Sequence, residues 1–258
     1  MFAWQRSLGP VSLGFTDRHG GVSAGAMGSL NLGRTDVDDL DHVIENYRRF
    51  GEAIAVRRFI TVHQVHGPEV LTVTDELIEG WHPLGHLGSA AGAPVLPVAD
   101  AIVASSRHCP SGTALLVRVA DCLPVVLADP ERGVVGVAHA GRVGLLGGVL
   151  PATVAAMRAA GAERISAWVG PHVCGACYEV PEQMAEDAWG REPATRAETS
   201  WGTPSIDLGA GALAQLRHLD VAAVDIDRCT RTDTDLHSHR RDGAGAGRQV
   251  GAVWFTDA

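Results

Sequence analysis

Short apolar runs bounded by turn residues dominate the pattern of this 258-residue chain. Runs of this length are typical of buried β-strands. They predict strands at residues 11–16, 58–65, 99–104, 113–119, 123–128, 134–138, 165–169 and 249–255. Apolar residues at helical spacing predict helices at residues 38–55, 145–160, 182–189 and 208–218.

The order of these elements indicates the fold class. Strands and helices are mixed without strict alternation and without an internal repeat, which favours an α+β fold over a regular βα wheel. Residues 79–97 are rich in Gly, Pro, Ala and Ser, but strand-like sequence resumes directly after them, so we interpret them as a surface loop. We therefore expect a single domain over residues 1–258, with His82 and His86 solvated in that loop.

Composition excludes several functional classes. The net charge of -9 argues against a general nucleic-acid binder, which needs a basic face. The chain contains no lysine, and this excludes both a P-loop and Schiff-base chemistry on a lysine. Any phosphate must therefore be bound by arginine, backbone N–H groups or a metal.

Targeting features and cysteine usage favour the cytoplasm. The first residues lack a charged start followed by an apolar run, so we expect no secretory signal. No stretch reaches the length of a membrane span, and we expect no membrane association. The five cysteines are odd in number and irregularly spaced, which fits a reducing compartment better than a disulfide framework.

Reactive residues collect in three short segments at predicted strand ends, at 63–67, 120–124 and 138–141, and the first and third of these contain glycine. Histidine and cysteine thiolate are good zinc ligands, and three protein ligands leave one position open, as in catalytic sites. Spacing alone equally allows a buried cysteine with two hydrogen-bonded histidines. A strand through residue 65 would place His63 and His66 on different faces, so these two need not share a metal.

The three segments belong to a longer set of motifs that resembles the YfiH-like family. Proteins of that family are variously described as polyphenol oxidase (laccase-like), purine nucleoside phosphorylase and peptidoglycan editing factor. The matching motifs are TDRHGGVS at 16–23, SLNLG at 29–33, QVHG at 64–67, ADA at 99–101, ADCLP at 120–124, HAG at 139–141, GP at 170–171, CYEV at 177–180, CT at 229–230, Ser238 and RRD at 240–242. The resemblance implies a layered α/β/β/α sandwich with mixed sheets and one metal pocket.

The resemblance also implies the ligands and their metal. His66, Cys122 and His139 match the family's zinc ligands and form the expected catalytic centre. We expect zinc rather than copper. The pair His237 and His239 resembles the HxH motif of multicopper oxidases, but those enzymes need several such pairs.

Further residues fall on motif positions near the expected substrate. Asp121 is a candidate for proton transfer or for support of the ligands. Arg18 and Asn31 are candidate substrate-binding residues, Arg18 for phosphate or a ribose oxygen, with turn stabilisation as the alternative for each. His63 is expected to line the pocket.

One segment departs from the family pattern. Where the family usually has His-Ala-Gly-Trp-Arg-Gly, this chain has Arg142 and Val143 in place of Trp and Arg. The positive charge survives one residue earlier, and Arg142 becomes a candidate substrate-binding residue. Substrate choice and phosphate use depend on this change.

The cysteines outside the zinc set suggest a second chemistry. Cys174 and Cys177 form a CxxC pair, which invites a redox or second-zinc interpretation. Even with Cys229 as a third ligand, a second zinc site would need one further ligand. We therefore expect these cysteines to be reduced and structural.

The leading hypothesis is phosphorolysis of purine nucleosides, with purine nucleoside and phosphate as small-molecule partners. Deamination of adenosine would be a second activity of the same pocket. The alternatives are an editing hydrolase that cleaves an amide in peptidoglycan precursors, and a zinc-pocket binding protein that has lost catalysis.

Overall fold

The computed structural model describes residues 1–33 and 37–256. The strands in these ranges are β1 (Phe2–Leu8), β2 (Val11–Thr16), β3 (Arg58–Ile60), β4 (Val70–Thr72), β5 (Ala101–Ser105), β6 (Thr113–Val119), β7 (Leu123–Asp129), β8 (Val134–Ala140), β9 (Ser166–Val169), β10 (Arg196–Glu198), β11 (Pro204–Ile206), β12 (Ala222–Asp225) and β13 (Gln249–Phe255). The α-helices are α1 (Leu40–Ile54), α2 (Asp75–Gly80), α3 (Arg142–Gly147), α4 (Val149–Ala159), α5 (Glu182–Arg191), α6 (Leu208–His218) and α7 (His239–Asp242).

The strands form two large mixed sheets and a small hairpin-like pair. The first sheet has the order β1-β2-β13-β6-β3, and only its β3–β6 pair is parallel among the strands described. The second sheet has the order β12-β9-β7-β8-β5-β4, with parallel pairs at both edges. Strands β10 and β11 pair with each other.

Three buried clusters show how the layers stack. Leu13 of the first sheet and Val126 of the second belong to one cluster, which fills the space between the sheets. Phe50 of α1 packs on the outer face of the first sheet. Helices α4 and α6 cover the outer face of the second sheet, through residues such as Val154 and Leu216. This is the predicted α+β fold with an α/β/β/α layering, and each fully buried large apolar side chain contributes about 1.5–3 kcal/mol to it.

Several predicted elements differ from the observed ones. The single helix predicted at 145–160 is two helices, because Gly148 between α3 and α4 has a φ of 89°. The strand predicted at 58–65 ends at Ile60, so strand alternation does not separate His63 from His66. The predicted loop at 79–97 holds a buried His86, which is 4% exposed, whereas His82 is exposed as expected.

No helix in the described ranges combines the length and the apolar character that a membrane crossing requires.

Candidate metal and substrate site

Three chain segments bring His66, Cys122 and His139 together at one end of the second sheet. Cys122 directly precedes β7, and the β7–β8 register pairs Pro124 with His139. The ligand atoms of the three side chains all lie within 4.8 Å of one another. His66 Nε2 lies 3.8 Å from Cys122 Sγ, and the two imidazole rings are 4.7 Å apart at 71°.

Asp100 orients two of these three residues. Its carboxylate, buried with 0% exposure, accepts hydrogen bonds from the backbone N–H groups of Val65, His66 and Gly67 at 3.0, 3.0 and 2.7 Å. Its Oδ1 also lies 2.8 Å from His139 Nδ1. A carboxylate at Nδ1 makes that nitrogen the proton donor and leaves the Nε2 lone pair free for a metal. Asp100 therefore fixes both the positive φ of 63° at His66 and the tautomer of His139.

The electrostatics of the group favour a thiolate. Burial alone raises the pKa of Cys122, but hydrogen bonds with His139 and His66 outweigh it and lower the pKa to about 6. Burial likewise opposes the charge on His139, yet its hydrogen bonds with Asp100 and Cys122 raise its pKa to about 9. In the metal-free protein, a proton thus resides on imidazole rather than on sulfur.

The donor set fits a zinc ion. Tetrahedral zinc with ordinary Zn–S and Zn–N bonds separates a sulfur from a nitrogen ligand by about 3.6 Å, close to the 3.8 Å between Cys122 and His66. Gly141 keeps this space open, because a Cβ there would lie 2.6 Å from His66 Cδ2 and 3.1 Å from Cys122 Sγ. Two imidazoles and a thiolate suit zinc, and copper sites use the same ligand types.

A cavity of about 650 Å³ opens beside the His/Cys/His group. Its volume lies within the range of small-molecule binding sites. The lining includes Gly33, His63, Gln64, His66, Arg118, Asp121, Cys122, His139, Tyr178, His239, Arg240 and Arg248. Three of these side chains are guanidinium groups, and that of Arg240 lies 4.8 Å from the ring centre of Tyr178.

Asp121 lines the cavity, but its carboxylate is engaged elsewhere. It accepts a 2.6 Å hydrogen bond from Thr230 Oγ1 and a 2.7 Å bond from the backbone N–H of Arg240. Its φ is 88°, an uncommon value for a residue other than glycine. These two hydrogen bonds connect the segment before Cys122 to Thr230 and to Arg240, which lines the cavity.

Arg18 and Asn31 lie outside the cavity lining. Arg18 donates to the carbonyl oxygens of Ala26 and Gly28 at 2.8 and 2.7 Å. Asn31 is buried, and its side-chain oxygen accepts from the backbone N–H of Gly33 at 3.1 Å. Arg18 thus supports the 26–28 backbone, and Asn31, which also accepts from the backbone N–H of Arg248 at 3.0 Å, holds Gly33 at the cavity rim.

The altered segment retains its charge near the cavity. Arg142 is the first residue of α3, and its positive charge acts on the Tyr178 hydroxyl. Burial raises the pKa of Tyr178, an effect that the guanidinium groups of Arg142 and Arg240 oppose. Val143 is 53% exposed.

Sequence reasoning assigned no site role to several residues that the structure places here. Asp100 and Arg240 lie within the ADA and RRD motifs, and these motifs are the sequence signal that points to them. Arg118 and Arg248 carried no motif. His63, predicted to line the cavity, does so.

Comparisons with known proteins agree with this geometry. The family model described as multi-copper polyphenol oxidoreductase laccase matches residues 12–256. A protein of Streptomyces coelicolor named purine nucleoside phosphorylase is 43% identical over 99% of this chain and 100% of its own length. One of Streptomyces griseus with the same name is 44% identical over 96% of this chain and 95% of its own length.

Solved structures match the fold over nearly the whole chain. YlmD from Geobacillus stearothermophilus superposes with a TM-score of 0.80 at 28% identity, covering 96% of this chain and 93% of that one. YfiH from Bacillus licheniformis gives a TM-score of 0.81 at 26% identity, covering 95% and 93%.

Proposed function

The chain belongs to the YfiH-like family, and from this membership we propose that it is a zinc-dependent purine nucleoside phosphorylase. The observation that carries the proposal is a cavity that combines a His/Cys/His donor set with three arginines, in a chain similar to relatives of that name. His66, Cys122 and His139 would hold the zinc ion.

The cavity suits the two substrates of phosphorolysis. Its volume of about 650 Å³ accommodates a nucleoside together with phosphate. The chain has no lysine, so phosphate would meet arginine, and Arg118, Arg240 and Arg248 lie in the cavity wall among the residues that the structure describes. Arg118 and Arg248 also donate to backbone carbonyl oxygens there. Arginine binds phosphate oxygens in a bidentate fashion, which both attracts and orients the anion.

The reaction transfers the ribosyl group from base to phosphate. A phosphate oxygen forms a bond to C1′ of the ribose while the bond from C1′ to the purine nitrogen breaks. The base leaves with the bonding electron pair and takes up a proton, giving free purine and ribose 1-phosphate. Zinc held by His66, Cys122 and His139 would supply Lewis acidity at this end of the cavity.

The residues of the chain position this reaction. Arg240 packs against the ring of Tyr178 at the cavity wall, and Arg142 adds positive charge near the Tyr178 hydroxyl. Asp121 acts as a positioning residue, because its carboxylate is bonded to Thr230 and to the backbone of Arg240. Arg18 supports the backbone at Ala26 and Gly28, and Asn31 supports the backbone of Gly33 at the cavity rim.

Deamination of adenosine is the second candidate activity. It is favoured by the exposure of His66 and the partial exposure of Cys122, which open the ligand group to the cavity. That reaction replaces the purine amino group with an oxygen from water and releases ammonia. It consumes no phosphate, so phosphate dependence separates it from phosphorolysis.

Copper oxidase chemistry is disfavoured by the ligand inventory. Within residues 1–33 and 37–256, two groups of side chains could hold a metal, and only one of them contains histidine. Multicopper oxidation needs several histidine-rich centres. Amide cleavage in a peptidoglycan precursor and ligand binding without turnover are competing hypotheses, and a turnover assay that includes both kinds of substrate distinguishes them.

The test is turnover of inosine, adenosine and a muramoyl-amino-acid nucleotide by protein of measured zinc content. Cys122→Ala should lower phosphate-dependent release of hypoxanthine by at least about 100-fold, because it removes a metal ligand. Cys109→Ala is the matched control, since Cys109 is a buried free cysteine outside both metal groups. Full turnover by Cys122→Ala would contradict the proposal. Turnover of the muramoyl-amino-acid nucleotide without turnover of inosine or adenosine would also contradict it.

A further inference from the structure

A second cluster of cysteines lies behind the wall of the cavity. Cys174 and Cys177 occupy a turn between β9 and α5, and Cys229 follows β12. The three Sγ atoms all lie within 4.8 Å of one another. The fold thus supplies the third sulfur that the CxxC pair lacks in sequence.

Backbone hydrogen bonds hold the three cysteines in place without a disulfide. The carbonyl oxygen of Cys174 accepts from the N–H groups of Cys177 and Tyr178 at 2.9 and 3.0 Å, which closes the turn. His172 exchanges backbone bonds with the residues on either side of Cys229, at 3.1 and 2.9 Å. The sulfurs are therefore brought together by rigid backbone on two segments that are far apart in sequence.

The cluster has the polar contacts of a thiolate site. The backbone N–H of Cys174 lies 3.5 Å from Cys229 Sγ, the distance of an N–H···S hydrogen bond. That N–H group belongs to the other of the two segments and points at the sulfur. Three thiolates within 4.8 Å of one another would repel each other, and a cation between them would remove that repulsion.

We propose that Cys174, Cys177 and Cys229 form a second metal site, which binds one soft d¹⁰ cation, Zn²⁺ or Cu⁺. An all-sulfur ligand set selects such ions. Sulfurs around one zinc ion are about 3.8 Å apart, within the 4.8 Å spread of this cluster. Cys174 and Cys229 are partly exposed, so solvent can supply a fourth ligand to zinc.

The site is placed to stiffen the cavity wall. Val173 and Tyr178, which flank the turn, both line the cavity. Thr230, next to Cys229, donates to the carboxylate of Asp121. An ion at the cluster would join these two walls, so its main effect is on stability and on the position of Tyr178.

The experiment measures metal per chain in reduced protein, loaded with Zn²⁺ and dialysed, by inductively coupled plasma mass spectrometry. The wild type and the control variant Cys109→Ala should each retain two zinc ions per chain. The variants Cys174→Ser, Cys177→Ser and Cys229→Ser should each retain one. Three separate variants guard against one that fails to fold, which circular dichroism would reveal. A parallel anaerobic loading with Cu⁺ shows which of the two cations the cluster retains more tightly.

A variant without the first site makes the result independent of the proposed reaction. The double variant His66→Ala/Cys122→Ser should retain one ion, and with Co²⁺ it should show sulfur-to-cobalt charge-transfer absorption. Its thermal midpoint should rise on addition of zinc, an effect that Cys177→Ser in the same background removes. Retention of neither zinc nor copper by the double variant would overturn the second site, whatever the outcome of the turnover assay.

Discussion

Asp100→Asn tests whether a residue that does not touch the metal controls the metal site. The carboxylate accepts four hydrogen bonds, two at each oxygen. An asparagine has only one acceptor oxygen, so its NH₂ group must face either the N–H groups of Val65 and Gly67 or those of His66 and His139. Two bonds to a charged acceptor are lost in either orientation, at about 1.5–3 kcal/mol each.

The loss should appear in two measurements. The free energy of unfolding, from urea denaturation, should fall by about 3 kcal/mol or more, because at least two of these bonds are lost. Zinc affinity, from competition with a chromophoric chelator, should fall about 10- to 100-fold, because His139 loses its fixed tautomer and His66 its fixed backbone. That range corresponds to about 1.4–2.8 kcal/mol of binding free energy.

Asp129→Asn is the matched control. Asp129 is also buried, at 1% exposure, and accepts from the backbone N–H groups of Arg132, Glu163 and Arg164. It lies at the other end of β7 from Cys122, about 20 Å away. This variant should lose stability and keep its zinc affinity. Wild-type zinc affinity in a folded Asp100→Asn protein would refute the reasoning.

Two further predictions concern the same ligand group. Gly141→Ala should lower the zinc affinity at least about tenfold, because the added methyl would lie 2.6 Å from His66 and 3.1 Å from Cys122. Gly147→Ala is the control and should keep the wild-type affinity, because its methyl meets nothing within 4 Å. Equal zinc affinities of the two variants in chelator competition would contradict this prediction. In metal-free protein, alkylation of Cys122 by iodoacetamide should be nearly constant above about pH 7 and fall below about pH 6, because its folded pKa is lowered to about 6. Burial raises the pKa of Cys109 to about 12, so mass spectrometry should find Cys109 unmodified. An alkylation rate of Cys122 that still rises steeply above neutral pH would contradict a thiolate at Cys122.

The central strands were predictable because both of their faces are buried. Residues 123–128 are a continuous apolar run and residues 113–119 are apolar except for Thr113 and Arg118, and the two segments match β7 and β6 to within one residue. Strand β1 was missed for the opposite reason. It is an edge strand with exposed Gln5, Arg6 and Ser7, and its pairing with β2 rather than its own pattern makes it a strand.

The contacts that organise the candidate site join residues distant in sequence. Asp100 binds residues 33 to 39 positions away, so its role depends on the packing of β5 against β8 and the 65–67 loop. Cys229 meets Cys174 across 55 positions. Motif resemblance could identify the ligand residues. Local sequence patterns do not predict which distant polar residue each ligand contacts in the fold.

The most direct test of the central claim is release of hypoxanthine from inosine by zinc-loaded protein, with and without inorganic phosphate. The account predicts that release requires phosphate, yields one ribose 1-phosphate for each base, stops when zinc is chelated and resumes when zinc is restored. No release from protein of full zinc content, or release at the same rate without phosphate, would contradict it.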